Sequence, residues 1–144
     1  MTHEDEGHYR AKHPAGTSFD PEVADAVRRR AREGRITCEA AFEVVEAMKV
    51  SPSEVGKTAD LLEHRITRCQ LGLFGYSPDK KIVTAAGRVS DDLRVRLQEA
   101  AGPEGVSCAS CWRVADSLSL EKMAVSAACE TLHLKVTRCQ LGAF

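Results

Sequence analysis

The chain has 144 residues, 43% of them hydrophobic but only 5% aromatic, with 28% charged and a formal net charge of −1. A core drawn from Ala, Val, Leu and Ile with few rings suits packed helices better than a β-sandwich, and a near-neutral molecule has no long-range field to draw it onto nucleic acid or an anionic membrane. No stretch is apolar for the roughly 18 residues a membrane-spanning helix needs, and the polar, acidic start MTHEDEGHYRAKHPAGTSF is unlike a signal peptide, so a cytoplasmic location is expected.

In chain order, residues 1–18 read as a flexible segment. Asp20-Pro21 then opens a helix, with Asp20 as N-cap and Pro21 at the first helical position. Val23, Ala26, Val27 and Ala31 give it one apolar face, and Gly34 ends it. Thr37 or its neighbour caps a second helix carrying Ala40, Ala41, Phe42, Val44, Val45 and Met48. Val50-Ser51-Pro52 makes the turn into a third, with Ser51 as cap and Val55, Ala59, Leu61 and Leu62 facing inward. Residues 65–71 read as a strand broken at Gly72, and Lys80–Thr84 as its hairpin partner across the turn-rich stretch 75–79. Ser90 caps a helix through Ala100, Gly102–Gly105 breaks it, Ser107 starts another through Leu118, and a last helix from Glu121 to about His133 leads into a strand over 134–141.

The order of elements repeats because the sequence does. TRCQLGLF begins at Thr67 and TRCQLGAF at Thr137, an offset of 70 residues. At that offset, without a gap, 11 of the 39 positions from 36–74 match those of 106–144, among them Cys38/Cys108, Val44/Val114, Val55/Val125, Leu62/Leu132 and Cys69/Cys139. The predicted class is therefore mainly α: a tandem duplication of a three-helix unit with short strand or wing elements. The expected boundaries are a first unit at 19–76, a linker or wing strand at 77–89, and a second unit at 90–144.

The segment AFEVVEAMKVSPSEVGKTADLLE, residues 41–63, has an apolar pair Val44-Val45, a turn Val50-Ser51-Pro52-Ser53 and the anchor Val55. It resembles the helix-turn-helix of bacterial transcription regulators, and the following strands resemble the winged variety. The resemblance covers about 23 residues of each unit. It implies duplex DNA as a possible partner, with contacts from Arg28, Arg29, Arg30, Ser53, Lys57, Arg65, Arg68, Lys80 and Lys81, since phosphates are neutralised by Lys and Arg. Arg32 and Arg35 extend the basic run, whose simpler role is to complement the negative end of the first helix.

The sequence departs from the pattern in charge. The third helix of the first unit sets Glu54, Asp60 and Glu63 against Lys57 and Arg65; the second unit offers Lys122 and Lys135, but the middle of its third helix reads Met123-Ala124-Val125-Ser126-Ala127-Ala128-Cys129, with almost nothing long enough to reach a base edge or phosphate. Small residues at Ala124, Ala127 and Ala128 permit close helix approach, so an internal contact or self-association is expected there.

Six cysteines in a reducing compartment read as thiols or ligands rather than disulfides. Cys108-Ala-Ser-Cys111 places a CxxC at a helix start, and Cys129 and Cys139 complete a candidate metal set. Its spacing is not that of a usual zinc knuckle, and the first unit has Ala41 and Ala59 where the second has Cys111 and Cys129. Buried structural thiols are the first reading, with zinc or iron–sulfur ligation and redox sensing behind it. His3, His8 and His13 do not share a face, and His64 and His133 close the third helices. No nucleophile–base pair or phosphate loop is visible, so no enzyme and no cofactor are expected. The expectation is a DNA-binding regulator. The alternatives are an interaction or adaptor module that keeps the fold without reading DNA, and a cysteine-based metal or redox sensor.

Overall fold

A computed structural model describes residues 8–144. The elements follow the caps written in the sequence. Helix α1 (Pro21–Arg30) starts where the Asp20 carboxylate accepts the Glu22 N–H. Helix α2 (Cys38–Met48) starts where the Thr37 hydroxyl accepts the Ala40 N–H. Helix α3 (Pro52–Leu61) starts where the Ser51 hydroxyl accepts the Glu54 N–H. Later, α4 (Asp91–Ala100) and α5 (Cys108–Leu118) are capped in the same way by Ser90 and Ser107, whereas α6 (Lys122–Thr131) follows Glu121 without a side-chain cap. Each satisfied N–H is one of the donors a helix start leaves unpaired, about 1 kcal/mol per cap.

Four short strands complete the described residues: β1 (Arg35–Thr37), β2 (Arg65–Thr67), β3 (Val106–Ser107) and β4 (Val136–Thr137). The expected wing does not form among them. Strand β2 pairs in parallel with β1, Arg35 opposite Arg65 and Thr37 opposite Thr67, and β4 pairs in parallel with β3. A parallel pair needs a long crossover, and α2 with α3 supplies it. Lys80–Thr84 forms no strand, and the N–H groups of Ile82 and Val83 both donate to the Gly72 carbonyl. The predicted strands 65–71 and 134–141 stop early because Arg68 and Arg138 adopt φ of 52° and 50°, which no extended strand tolerates.

The chain divides into two compact units. One takes the residues up to Cys69 together with Gln140–Phe144, and the other takes Gln70–Cys139. The division therefore falls inside each TRCQLG motif and not at residues 77–89. Every α-helix and strand of the first unit has a counterpart close to 70 residues later in the second. The left-handed residues Lys49, Glu63 and Arg68 likewise recur at Ser119, His133 and Arg138.

In the first unit, α1, α2 and α3 close over Val23, Val27, Ile36, Val44, Val55 and Ile66, all at most 1% exposed. Leu141 and Ala143 are buried in the same unit, and Gly56 of α3 lies so near the Leu141 backbone that a Cβ there would overlap the carbonyl oxygen. In the second unit, Leu97, Val106 and Val125 are buried with Leu71, whose carbonyl accepts the Ser126 hydroxyl at 2.6 Å. Gly56 and Ser126, and Leu141 and Leu71, are the same positions 70 residues apart. In each unit the third helix is met by a Leu-Gly segment that follows the other unit's last strand in sequence.

The polar start expected to be flexible takes a defined course from His8, and residues 1–7, His3 among them, lie outside the described residues. Tyr9–Lys12 forms a 3-10 turn with Tyr9 3% exposed. The N–H groups of Tyr9 and Arg10 donate to the two Glu63 carboxylate oxygens at 2.9 and 2.8 Å. Among the described residues, no helix is long and apolar enough to cross a membrane.

Candidate functional site

The outer faces of the two third helices decide how far the resemblance to a DNA reader extends. Each face is covered within its own unit. On α3, Gly56 lies under Leu141, and the carboxylate of Asp60, 2% exposed, meets His13 Nε2 at 2.8 Å and Lys12 Nζ at 3.2 Å. Lys12 also donates to the Gly142 carbonyl at 3.1 Å, so one ammonium holds both covering segments of the first unit. Burial pushes the Asp60 pKa above its ordinary value, outweighing the hydrogen bond and charge of His13 and Lys12. Its Oδ1 has no hydrogen-bond partner among the described residues.

On α6 the arrangement is similar with other residues. The Ala127 carbonyl accepts the Ala86 N–H at 3.0 Å, the Thr131 hydroxyl donates to the Ala86 carbonyl at 2.6 Å, and Lys81 pairs with Glu130. Glu130 stands 70 residues after Asp60, so each third helix presents a carboxylate to a lysine from the segment before the first helix of its unit. The small residues of α6 serve this close approach: Ala128 is buried and Ala127 half-buried, while Ala124 stays exposed. Of the three small residues, Ala127 is the one met by the Ala86 backbone of the same unit.

The predicted DNA-contacting residues therefore separate. Ser53 is exposed at the start of α3 with its hydroxyl 3.1 Å from that of Ser51, and Lys57 is half-buried in an ion pair with Glu54 at 2.8 Å. Lys80 and Lys81 belong to the second unit and to no wing. The arginines of the first unit do come together. Arg28, Arg29 and Arg30 form the last turn of α1. Two residues later Arg32-Glu33-Gly34-Arg35 makes a tight turn, with Glu33 and Gly34 at φ of 54° and 75° and Arg32 and Arg35 exchanging both backbone hydrogen bonds. Positive φ at both central positions is what a two-residue turn of this hand requires. Arg35 then lies beside Arg65 in the parallel ladder, and Arg68 follows one residue after β2.

Partners of these guanidinium groups include Asp25 for Arg28 at 3.4 Å, Glu43 for Arg30 at 3.3 Å, and the Arg29 and Ala31 carbonyls for Arg32 at 3.3 and 3.1 Å. The Arg32 bonds close the α1 terminus as the dipole favours. Exposed pairs of this kind contribute little and break readily for a better acceptor. At the corresponding positions the second unit has Gln98, Glu99, Ala100, Gly102 and Gly105 in place of Arg28, Arg29, Arg30, Arg32 and Arg35. The concentration of positive charge belongs to the first unit alone.

The candidate metal residues also separate. Cys108, Cys111 and Cys129 are buried in the second unit, with Cys139 half-buried. Among the described residues, no three or more His, Cys, Asp or Glu side chains are placed to hold a metal ion together. Cys111 and Cys129 share a hydrogen bond, and it raises the Cys111 pKa, with burial adding to the rise, while it lowers that of Cys129 against the effect of burial. Sequence reasoning missed Lys12, His13 and Glu63 as partners. A basic and an acidic residue some 50 positions apart carry no local signal, and the polar start looked solvated. Comparison with protein-family models, with curated proteins and with solved structures finds no match.

Proposed function

We propose that the chain is a duplicated, helix-turn-helix-derived regulatory protein that holds duplex DNA by its phosphate backbone, through the arginine end of the first unit. The observation that carries this reading is the convergence of Arg28, Arg29, Arg32, Arg35, Arg65 and Arg68 at the end of α1 and along the β1–β2 ladder. Arginine suits phosphate because its planar fork donates two parallel hydrogen bonds. The cluster sits in a molecule of net charge −1, so binding is short-range and depends on contact, with no steering from afar.

In this reading α3 and α6 do not read bases. Their outer faces are covered, and Lys57, half-buried midway along α3, is paired with Glu54. Affinity is then largely independent of sequence and steep in salt, falling with a slope of roughly 0.9 in log–log terms for each phosphate neutralised. Fluorescence anisotropy with a labelled duplex over a salt series tests it. Replacing Arg29, Arg32 and Arg35 by Ala should lower the slope by about 3 and weaken binding to every duplex alike, while Lys57→Ala should leave both unchanged. Folded protein that binds no duplex at low salt overturns the reading. The covered third helices would then favour the alternative, an interaction module that keeps the helix-turn-helix fold without DNA.

A further inference from the structure

We propose that the outer face of α3 in the first unit is a peptide-recognition site whose ligand is the segment Tyr9–His13, and that one copy of the chain can supply this segment to the α3 of another. No arginine of the proposed DNA surface takes part, so the inference stands apart from the DNA reading.

The segment is held by a set of contacts more particular than packing requires. Glu63, just past the end of α3, uses both carboxylate oxygens to accept consecutive backbone N–H groups, that of Tyr9 at 2.9 Å and that of Arg10 at 2.8 Å. Asp60, a turn earlier and 2% exposed, meets His13 Nε2 at 2.8 Å and Lys12 Nζ at 3.2 Å with the same oxygen, Oδ2. Lys12 reaches on to the Gly142 carbonyl at 3.1 Å, and Tyr9 is buried. One short segment is thus recognised by its backbone, an aromatic side chain, an ammonium and an imidazole. Bonds to an ionised group are the stronger kind, and a nearly buried carboxylate is little screened by salt.

The duplication does not account for this set. At the offset of 70, Glu63 becomes His133, and Tyr9–His13 becomes Asp79-Lys80-Lys81-Ile82-Val83, with no aromatic and no histidine. The recognition belongs to the first unit alone.

The contacts that dock the segment are also separate from those that join it to α1. The docking bonds span 47 to 130 positions of the sequence. Between His13 and α1, the Thr17 N–H and hydroxyl both donate back to the Pro14 carbonyl, at 3.1 and 2.6 Å, a local turn independent of α3. Gly16 takes φ of 86° with open space around it, and a hollow of about 420 Å³ is lined by Pro14, Gly16, Thr17 and Glu63 among others. Rotation in this linker carries the segment off intact, and the same bonds form on the α3 of a second copy. Exchange of an identical element needs no new contact. Tethering opposes it, because a short linker holds the segment at an effective concentration on the order of 1 mM. Dilute protein is therefore closed on itself.

The test uses two full-length variants. Tyr9→Ala/Lys12→Ala keeps the α3 face and loosens the segment. Asp60→Asn/Glu63→Gln keeps the segment and disables the face. With the first variant isotope-labelled, the amide signals of residues 58–63 should lie away from their wild-type positions. Adding the unlabelled second variant should return them as the concentration approaches about 1 mM. Unlabelled wild type, with its segment already engaged, should move them far less. A synthetic peptide of residues 8–18 should act as the second variant does, and Lys12→Ala/His13→Ala takes the place of the first if loss of the ring unfolds it. The proposal is overturned by signals that never leave their wild-type positions, by signals that neither the second variant nor the peptide moves, or by the same return when unlabelled first variant is added, which would put the contact on another surface.

Discussion

Gly56→Ala puts the covering of α3 to a direct test. Glycine within a helix is ordinarily a liability, and replacing it with alanine stabilises by about 1 kcal/mol. Here the opposite sign is expected. A Cβ on Gly56 would lie 1.7 Å from the Leu141 oxygen, 2.6 Å from its carbonyl carbon and 3.0 Å from its Cα. All three are backbone atoms, so no rotamer change relieves the overlap, and the segment carrying Leu141 must leave the helix. Leu141 and Ala143, 2% and 4% exposed, would then return to water. Burial of a leucine is worth about 2 kcal/mol and of an alanine methyl about 0.8. Set against the helix gain, the net loss is about 2 kcal/mol. Urea unfolding followed by circular dichroism measures it. A double-mutant cycle gives the sharper answer: in a chain shortened after Cys139, Gly56→Ala should become neutral or stabilising, because the atoms it strikes are gone. A full-length Gly56→Ala protein as stable as wild type would refute the account of this contact.

Three further outcomes follow from the same geometry. Ser126→Ala removes the 2.6 Å donor to the buried Leu71 carbonyl and should cost about 1–2 kcal/mol in urea unfolding, with an unchanged circular dichroism spectrum. Lys49 and Ser119 hold φ of 54° and 55° at the ends of α2 and α5, so Lys49→Gly or Ser119→Gly should stabilise by roughly 0.5–1 kcal/mol in thermal melts, where glycine in mid-helix would do the reverse. For Asp60 the sign comes from burial, which raises its native pKa above the ordinary value of 3.8. Between those two values the native state holds more protons than the unfolded one. Its contribution is therefore fully present below the unfolded pKa and is lost as pH rises through the native pKa. The stability of wild type minus that of Asp60→Asn should fall with rising pH across that window, and a flat or rising difference would contradict it.

Much of the helical layout is legible in the sequence because its signals are local. Asp20, Thr37, Ser51, Ser90 and Ser107 cap the helices they are expected to cap, each with its side-chain oxygen on a backbone N–H. Pro21 and Pro52 stand at first helical positions, and the offset of 70 aligns the second set of elements with the first. The strands are misread for a physical reason. Three residues such as Arg35-Ile36-Thr37 hold less than two periods of alternation, and the parallel partner lies a whole helix pair away. A hairpin with Lys80–Thr84 is the nearer and wrong choice.

The covering of the third helices is illegible for a related reason. Lys12 and His13 meet Asp60, and Leu141 meets Gly56, across separations that no motif spans. Two hints are nevertheless in the sequence. A glycine at position 56, in a helix otherwise free of glycine, marks close approach of another backbone, and the run of small residues on α6 marks the same demand. For the candidate site, the arginine run is visible as charge. The turn at 32–35 and the ladder set Arg35 beside Arg65, while Lys57 pairs with Glu54 and Lys81 with Glu130.

Amide chemical-shift mapping is the most direct test of the proposal that DNA meets the arginine end and not the third helices. Uniformly labelled protein would be titrated with a short duplex at low salt. Perturbations should gather at residues 28–36 and 65–68 and leave 53–57 and 122–127 in place, with the same pattern for unrelated duplex sequences. Shifts centred on α3 or α6, or differing from one duplex sequence to another, would contradict it.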